Sequence, residues 1–204
     1  MLTIVYEDEH LLIVNKPSGL LCVPGLSDPD NLFDRVLKRY PNARVVHRLD
    51  MSTSGMVIFA LNHPAQKRLG HMFEHKKIQK RYIAELSGQL DHKYGEVASP
   101  LICDWVNRPV QKVDWLKGKL SLTHYRVIEQ SASGSRVELT PITGRTHQLR
   151  LHMLQIGHPI LGDNFYNIEN SHMQAERLML HAFQLQFAHP VDASNMAFEC
   201  KPEF

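Results

Sequence analysis

An α+β fold, with helices flanking a mixed and largely antiparallel sheet, is what this sequence predicts, and three observations carry it. Strand-length apolar or alternating runs recur along the chain, hairpin signals dominate its second half, and only three stretches show helical spacing. In order, Ile4-Val5-Tyr6 gives the first strand signal and Leu11-Leu12-Ile13-Val14 a short buried strand. Residues 31–40 place Leu32, Phe33, Val36 and Leu37 at helical spacing before Pro41 ends the helix. The apolar run Met56-Val57-Ile58-Phe59-Ala60-Leu61 reads as a buried strand. Pro64 then opens a second helix in which Ala65, Leu69, Met72 and Phe73 face inward.

Tyr82-Ile83-Ala84-Glu85-Leu86 is a strand, and residues 90–118, punctuated by Gly95, Pro100 and Pro109, read as the most loop-like region. Residues 123–128 and 136–139 are joined by Ser131-Ala132-Ser133-Gly134-Ser135 and should pair antiparallel. A third helix follows Arg145-Thr146-His147, carries Leu149, Leu151, Met153, Leu154 and Ile156, and ends at Gly157. Finally, Phe183, Leu185 and Phe187 alternate with Gln184 and Gln186, and Met196, Phe198 and Cys200 with Ala197 and Glu199, as half-buried strands do.

The chain has 204 residues, 43% of them hydrophobic, enough for one substantial core, and a single catalytic domain over residues 1–204 is expected. The first strand signal lies so near residue 1 that no separate module is expected ahead of it. There are 23 basic and 21 acidic residues, a net charge of +2, with 13 His in reserve at lower pH. Local clustering says more than that balance: Lys67, Arg68, His71, His75, Lys76, Lys77, Lys80 and Arg81 form the densest basic run, either a solvated helix face or a surface for RNA. Cys22, Cys103 and Cys200 show neither a CxxC pair nor zinc spacing and are expected to be buried or idle thiols. No apolar stretch approaches the ~18 residues of a membrane span and no basic n-region precedes an apolar core, so a cytoplasmic location is expected.

Two polar segments carry the candidate chemistry. His47-Arg48-Leu49-Asp50-Met51-Ser52-Thr53-Ser54-Gly55 sets one carboxylate between a basic pair and a buried strand, and loops held on rigid elements are where catalytic groups sit. An Asp beside a strand is also a common turn cap. Pro141-Ile142-Thr143-Gly144-Arg145-Thr146-His147-Gln148-Leu149-Arg150 is a second basic cluster, at a helix opening where free N–H groups and cations favour an anion. An opposing Arg can keep a nearby Asp ionised through a bidentate pair.

The two segments resemble the hallmark motifs of the RluA family of pseudouridine synthases, in which HRLD holds the catalytic aspartate and TGRTHQLR the arginine that pairs with it. The resemblance continues in Val14-Asn15-Lys16-Pro17-Ser18-Gly19, Lys80-Arg81-Tyr82, Gly157-His158-Pro159-Ile160-Leu161-Gly162-Asp163 and Leu178-Met179-Leu180-His181-Ala182, in the family's order. Pro100-Leu101-Ile102-Cys103-Asp104-Trp105 and Asn107-Arg108-Pro109-Val110-Gln111-Lys112-Val113 look like one branch of the family. Its members act on a stem-loop of 23S rRNA and on the first uridine of some tRNA anticodon loops. The chain departs from many relatives at Leu20-Leu21-Cys22-Val23-Pro24, which lacks a His.

The resemblance implies a pseudouridine synthase catalytic domain with its cleft across a mixed sheet. It implies an isomerase that flips a uridine out of structured RNA and needs no cofactor or metal; the N-terminal RNA-binding module of the S4 type that many relatives carry is not expected here, and a monomer on RNA is expected. Asp50 is then the catalytic carboxylate, Arg145 its orienting partner, and Tyr82 an aromatic face for the flipped base that can help remove the C5 proton. Arg48 fills the space the base vacates or contacts a phosphate. Lys16, Lys80 and Arg150 are further phosphate candidates, and His47 and His147 contact phosphate or serve the structure. His71 and His75 have metal-like spacing, yet surrounding cations oppose a metal there. The alternatives are a synthase with a single target, rRNA or tRNA, a non-catalytic RNA-binding protein, and a hydrolase using Ser52 or Ser54 with His47, for which a GxSxG elbow is missing.

Overall fold

The computed structural model describes residues 2–25, 30–166 and 175–204, and these form two compact units, one made up of the described residues up to 80 with 181–204 and one of those between 81 and 180. In chain order the elements are β1 (Thr3–Glu7), β2 (Leu11–Lys16), α1 (Leu32–Leu37), β3 (Arg44–Val45), β4 (Ser54–Ala60), α2 (His63–Glu74) and β5 (Gln79–Ser87). There follow β6 (Tyr94–Cys103), β7 (Gln111–Val113), β8 (Lys119–Gln130), β9 (Gly134–Pro141), α3 (Gln148–Gln155), β10 (Leu180–Ala188) and β11 (Asn195–Glu199). The α+β class is as the sequence predicts, mixed in the first unit and antiparallel in the second.

In the first unit β2 pairs antiparallel with β1 and with β4, β4 runs parallel to β10, and β11 pairs antiparallel with β10. Strands β2 and β4 are apolar on both faces, Leu11, Leu12, Ile13, Val14 and residues 56–60 all being buried, because side chains from both sides close over them. Helix α2 lays Ala65, Leu69, Met72 and Phe73 on one of those faces, against Leu11, Ile13, Met56 and Ile58. Both helices of this unit start at an Asn: Asn31 Oδ1 accepts the Asp34 N–H and Asn62 Oδ1 the Ala65 N–H, with Pro64 in the first turn of α2. Gly55 has φ of +114°, and a Cβ there would lie 2.4 Å from the Ala182 nitrogen of β10. Gly55→Ala should cost on the order of 2 kcal/mol or more, measured by urea unfolding, since it adds both backbone strain and overpacking.

In the second unit the strand order is β5-β9-β8-β6-β7, antiparallel throughout. Strand β9 alternates, burying Ser135, Val137, Leu139 and Pro141, as the period of two demands. Its core gathers Ala84, Leu86, Val137, Leu139, Leu149, Met153 and Ile160. Helix α3 ends as expected, at Gly157 with φ of +84°, where the Gly157 N–H reaches Leu154 O and the His158 N–H reaches Met153 O.

Residues 90–118 are not loop throughout. They contain the ten-residue β6 and the short β7, and Pro100 lies inside β6 opposite Leu120. Proline is tolerated there because its backbone faces the end of β7. On that side only an acceptor is needed, and Pro100 O takes the Asp114 N–H at 3.0 Å.

Candidate active site

In the first unit, the His47-Arg48-Leu49-Asp50 segment runs from β3 to a tight turn before β4, closed by the Thr53 N–H donating to Asp50 O at 3.1 Å. The turn is gripped by the Lys16-Pro17-Ser18-Gly19 segment. Lys16 Nζ donates to the carbonyls of Pro17, Leu20 and Met51 at 2.8–2.9 Å, the Gly19 N–H donates to Met51 O at 2.9 Å, and Ser18 Oγ donates to Ser52 O at 2.7 Å. Lys16, expected as a phosphate contact, is thus fully buried. Its ammonium survives burial because all three donors are used, though burial pulls its pKa down to about 8, opposed by the charges of Cys22 and Asp50. Asp50 stands half-buried on this braced turn and Arg48 beside it is exposed. Cys22 is buried next to them, its thiol pushed up by burial.

His47 has a structural job in place of the phosphate contact considered above. Its Nε2 accepts the Ile58 N–H at 2.9 Å and its ring stacks on Phe73 at 4.4 Å, fastening the segment to β4 and α2. Burial, helped by the charge of Lys80, holds it neutral with a pKa of about 3. Lys80, partly buried, is likewise lowered by burial. Ser54 pairs with His181 at 2.9 Å, and His181 reaches Cys200 O at 2.9 Å. The hydrolase alternative is therefore not supported: His47 is occupied by backbone, and the pair that Ser54 makes with His181 is buried. The basic run along α2 is exposed at Lys67, Arg68, His71, His75, Lys76 and Lys77, with Arg68 donating to Pro190 O.

In the second unit, buried Gln148 organises the turn that carries Arg145. Its Oε1 accepts from Thr143 Oγ1 at 2.7 Å and from the Arg145 N–H at 3.0 Å, while its Nε2 donates to Leu122 O and Thr123 Oγ1. The backbone is fixed from inside and the Arg145 side chain is left exposed. Helix α3 starts only at Gln148, and residues 148–150 are buried, so attraction for an anion rests on Arg145 rather than on the helix N–H groups. Tyr82 stands half-buried on β5 opposite Leu139, packed against the core.

Arg150 and His147, both expected near RNA, are buried in the structure. Arg150 makes a bidentate pair with Asp163 at 2.7 Å, and Asp163 also accepts the N–H groups of Phe165 and Tyr166. His147 Nδ1 accepts from Tyr166 Oη at 2.8 Å, and that hydroxyl accepts the Gln111 N–H at 2.6 Å. Gln148, Asp163 and Tyr166 were given no role by the sequence argument, although Asp163 closes a motif that it quoted. His152, buried between Ser121 and Thr123, is held down to a pKa of about 4 by burial.

His47 and His152 set a pH dependence. Unfolded imidazoles protonate as pH falls through about 6.5, the folded ones only near 3 and 4, so the stability that these groups contribute is present at pH 7 and is lost as pH falls below 6.5. Each should cost ~2 kcal/mol at pH 5. Urea midpoints at pH 7 and pH 5 check this, and equal midpoints would contradict it.

Against known proteins, the profile of the family described as RNA pseudouridylate synthase matches residues 10–155, a span holding both the Asp50 turn and the Arg145 turn. The chain belongs to the RNA pseudouridylate synthase family. Among the synthases, a Yersinia pestis protein named dual-specificity RNA pseudouridine synthase RluA is 48% identical over 98% of this chain and 99% of its own length. The protein of that name from Escherichia coli strain K12 is 47% identical over 100% of this chain and 94% of its own. The solved structure of human RNA pseudouridylate synthase domain containing 1 superposes with a TM-score of 0.86 at 31% identity, covering 100% of this chain and 84% of that one. The human domain containing 4 protein, at 24% identity and a TM-score of 0.80, shares the pseudouridine synthase fold.

Proposed function

We propose that the protein isomerises uridine to pseudouridine in structured RNA and, like its dual-specificity relatives, serves two kinds of RNA: a stem-loop of 23S rRNA and the first uridine of a tRNA anticodon loop. The reaction breaks the bond from C1' to N1, turns the base and forms a bond from C1' to C5, while the hydrogen on C5 is lost and N1 gains one. Nothing is oxidised or reduced, and no energy input is called for. A single ionised carboxylate suits it, whether by attacking the sugar, adding to the base or stabilising charge.

The observation that carries the reading is the half-buried Asp50 on a turn whose Met51 carbonyl is fixed by buried Lys16, inside the span matched by the family. A uridine must leave its stack to meet such a group, at a cost of a few kcal/mol that protein contacts offset. Tyr82 is the proposed face for the flipped base, Arg48 the group that enters the vacated space, Arg145 the partner of the Asp50 carboxylate, and Lys80 a phosphate contact. We take the two units as one catalytic domain, acting as a monomer in the cytoplasm. Carbodiimide mapping of pseudouridine in rRNA and tRNA from cells lacking the gene, rescued with wild type or Asp50→Asn, tests the reading. Loss at one rRNA stem-loop and one anticodon loop, restored by wild type alone, is expected. Loss in one RNA class only would reduce the assignment to a single target.

A further inference from the structure

Both tryptophans of the chain are exposed, Trp105 to 64% and Trp115 to 71%. A large aromatic ring in water is costly, and two of them close in sequence mark a contact surface. They stand in the two connections at the ends of β7, which lies at the edge of its sheet: residues 104–110 lead into it and residues 114–118 lead out, about 10 Å of strand apart. Val106, at 91%, and Leu116, at 94%, are exposed beside them.

These loops are built, not slack. Asp104 accepts from Asn107 Nδ2 at 2.8 Å while the Asp104 N–H donates to Val110 O at 2.9 Å, and Asp114 Oδ1 accepts the N–H groups of Leu116 and Lys117, each at 2.9 Å. The Gln111 N–H on buried Tyr166 anchors the start of β7 to the interior. The guanidinium of Arg108 lies 3.4 Å over the Trp105 ring, a preformed stacking pair.

Charge says which partner fits. Arg108, Lys112, Lys117 and Lys119 accompany the two rings, against Asp104 and Asp114, whose carboxylates are already engaged by donors of their own loops and, for Asp104, by Lys112 at 3.6 Å. Flat aromatic faces interleaved with cations suit unpaired bases and the phosphates between them. We infer that the two connections flanking β7 form a contact surface for the RNA substrate, stacking an unpaired base on Trp105 and Arg108 and holding backbone phosphates through Lys117 and Lys119. The inference rests on the protein's acting on RNA, and does not need Asp50 to be the catalytic group.

The tryptophans are their own reporters. A synthetic tRNA anticodon stem-loop is titrated into the Asp50→Asn protein while intrinsic tryptophan emission and the anisotropy of a label on the RNA are both read. Emission should fall in parallel with binding. Trp105→Ala, Arg108→Ala and Trp115→Ala should each weaken binding roughly tenfold, with unchanged circular dichroism and melting, and in the active protein the loss should appear chiefly in KM rather than kcat. RNA that binds without altering emission, with all three variants binding like wild type, would overturn the inference and leave the surface to a protein partner. Pseudouridine in the same RNA is scored separately. A wild type that makes none, while quenching and the variants' losses persist, would sink the catalytic reading and leave this surface standing.

Discussion

Replacing Asp50 with Asn should lower pseudouridine formation by roughly a thousandfold or more, equivalent to ~4 kcal/mol of transition-state stabilisation, while RNA affinity changes little. The swap is nearly isosteric and removes only the charge. The turn should persist, because it is held by backbone groups: the Thr53 N–H on Asp50 O, the Gly19 N–H and Lys16 Nζ on Met51 O, and Ser18 Oγ on Ser52 O. Single-turnover assays, gel-shift binding and thermal melting on the same preparation separate chemistry from folding. If Asp50→Asn melts like wild type, binds the stem-loop and turns over at a comparable rate, Asp50 is no more than a brace.

The largest effect on stability should come from the buried pair Arg150–Asp163. Both side chains are almost wholly out of water, and among the described residues Asp163 accepts from two nitrogens of Arg150 and from the N–H groups of Phe165 and Tyr166. Asp163→Ala leaves a guanidinium buried without its carboxylate, at a cost of ~3–5 kcal/mol. For a chain of this length that is a fall in melting temperature of roughly 6–20 °C. Replacing both partners with apolar residues of similar volume should cost less than removing Asp163 alone, since no uncompensated charge remains. Urea unfolding of the single and double variants measures the difference, and a single variant within 1 kcal/mol of wild type would contradict it.

Much of this was legible in the sequence, for physical reasons that also mark its limits. Period-two alternation in β9 and the apolar runs of β2 and β4 report burial directly, and Pro64 and Gly157 announce helix ends through their own backbone chemistry. Strand β6 was hidden because Pro100 ordinarily argues against a strand interior, and only pairing partners distant in sequence reveal that it faces the end of β7. The site showed the same split. That Asp50 and Arg145 sit on polar turns could be read locally, whereas the fates of Lys16, His47, His147 and Arg150 could not. A cation or imidazole looks alike in sequence whether it meets a phosphate or a buried acceptor. Here one of the three carbonyls that Lys16 meets lies 35 positions away, and Arg150 meets a carboxylate 13 positions on. Gln148 was overlooked because it reads as a polar helix residue, yet its amide shapes the turn that presents Arg145.

Isomerisation through C5 must expel the hydrogen from that carbon, so the most direct test is release of tritium into water from stem-loop RNA labelled at C5 of uridine, catalysed by the purified protein with no added metal or nucleotide. Stoichiometric release at one uridine by wild type, and none above background by Asp50→Asn protein that still binds the RNA, is the predicted result. Release undiminished in Asp50→Asn, or absent from wild type on both the rRNA stem-loop and the anticodon stem-loop, would contradict it.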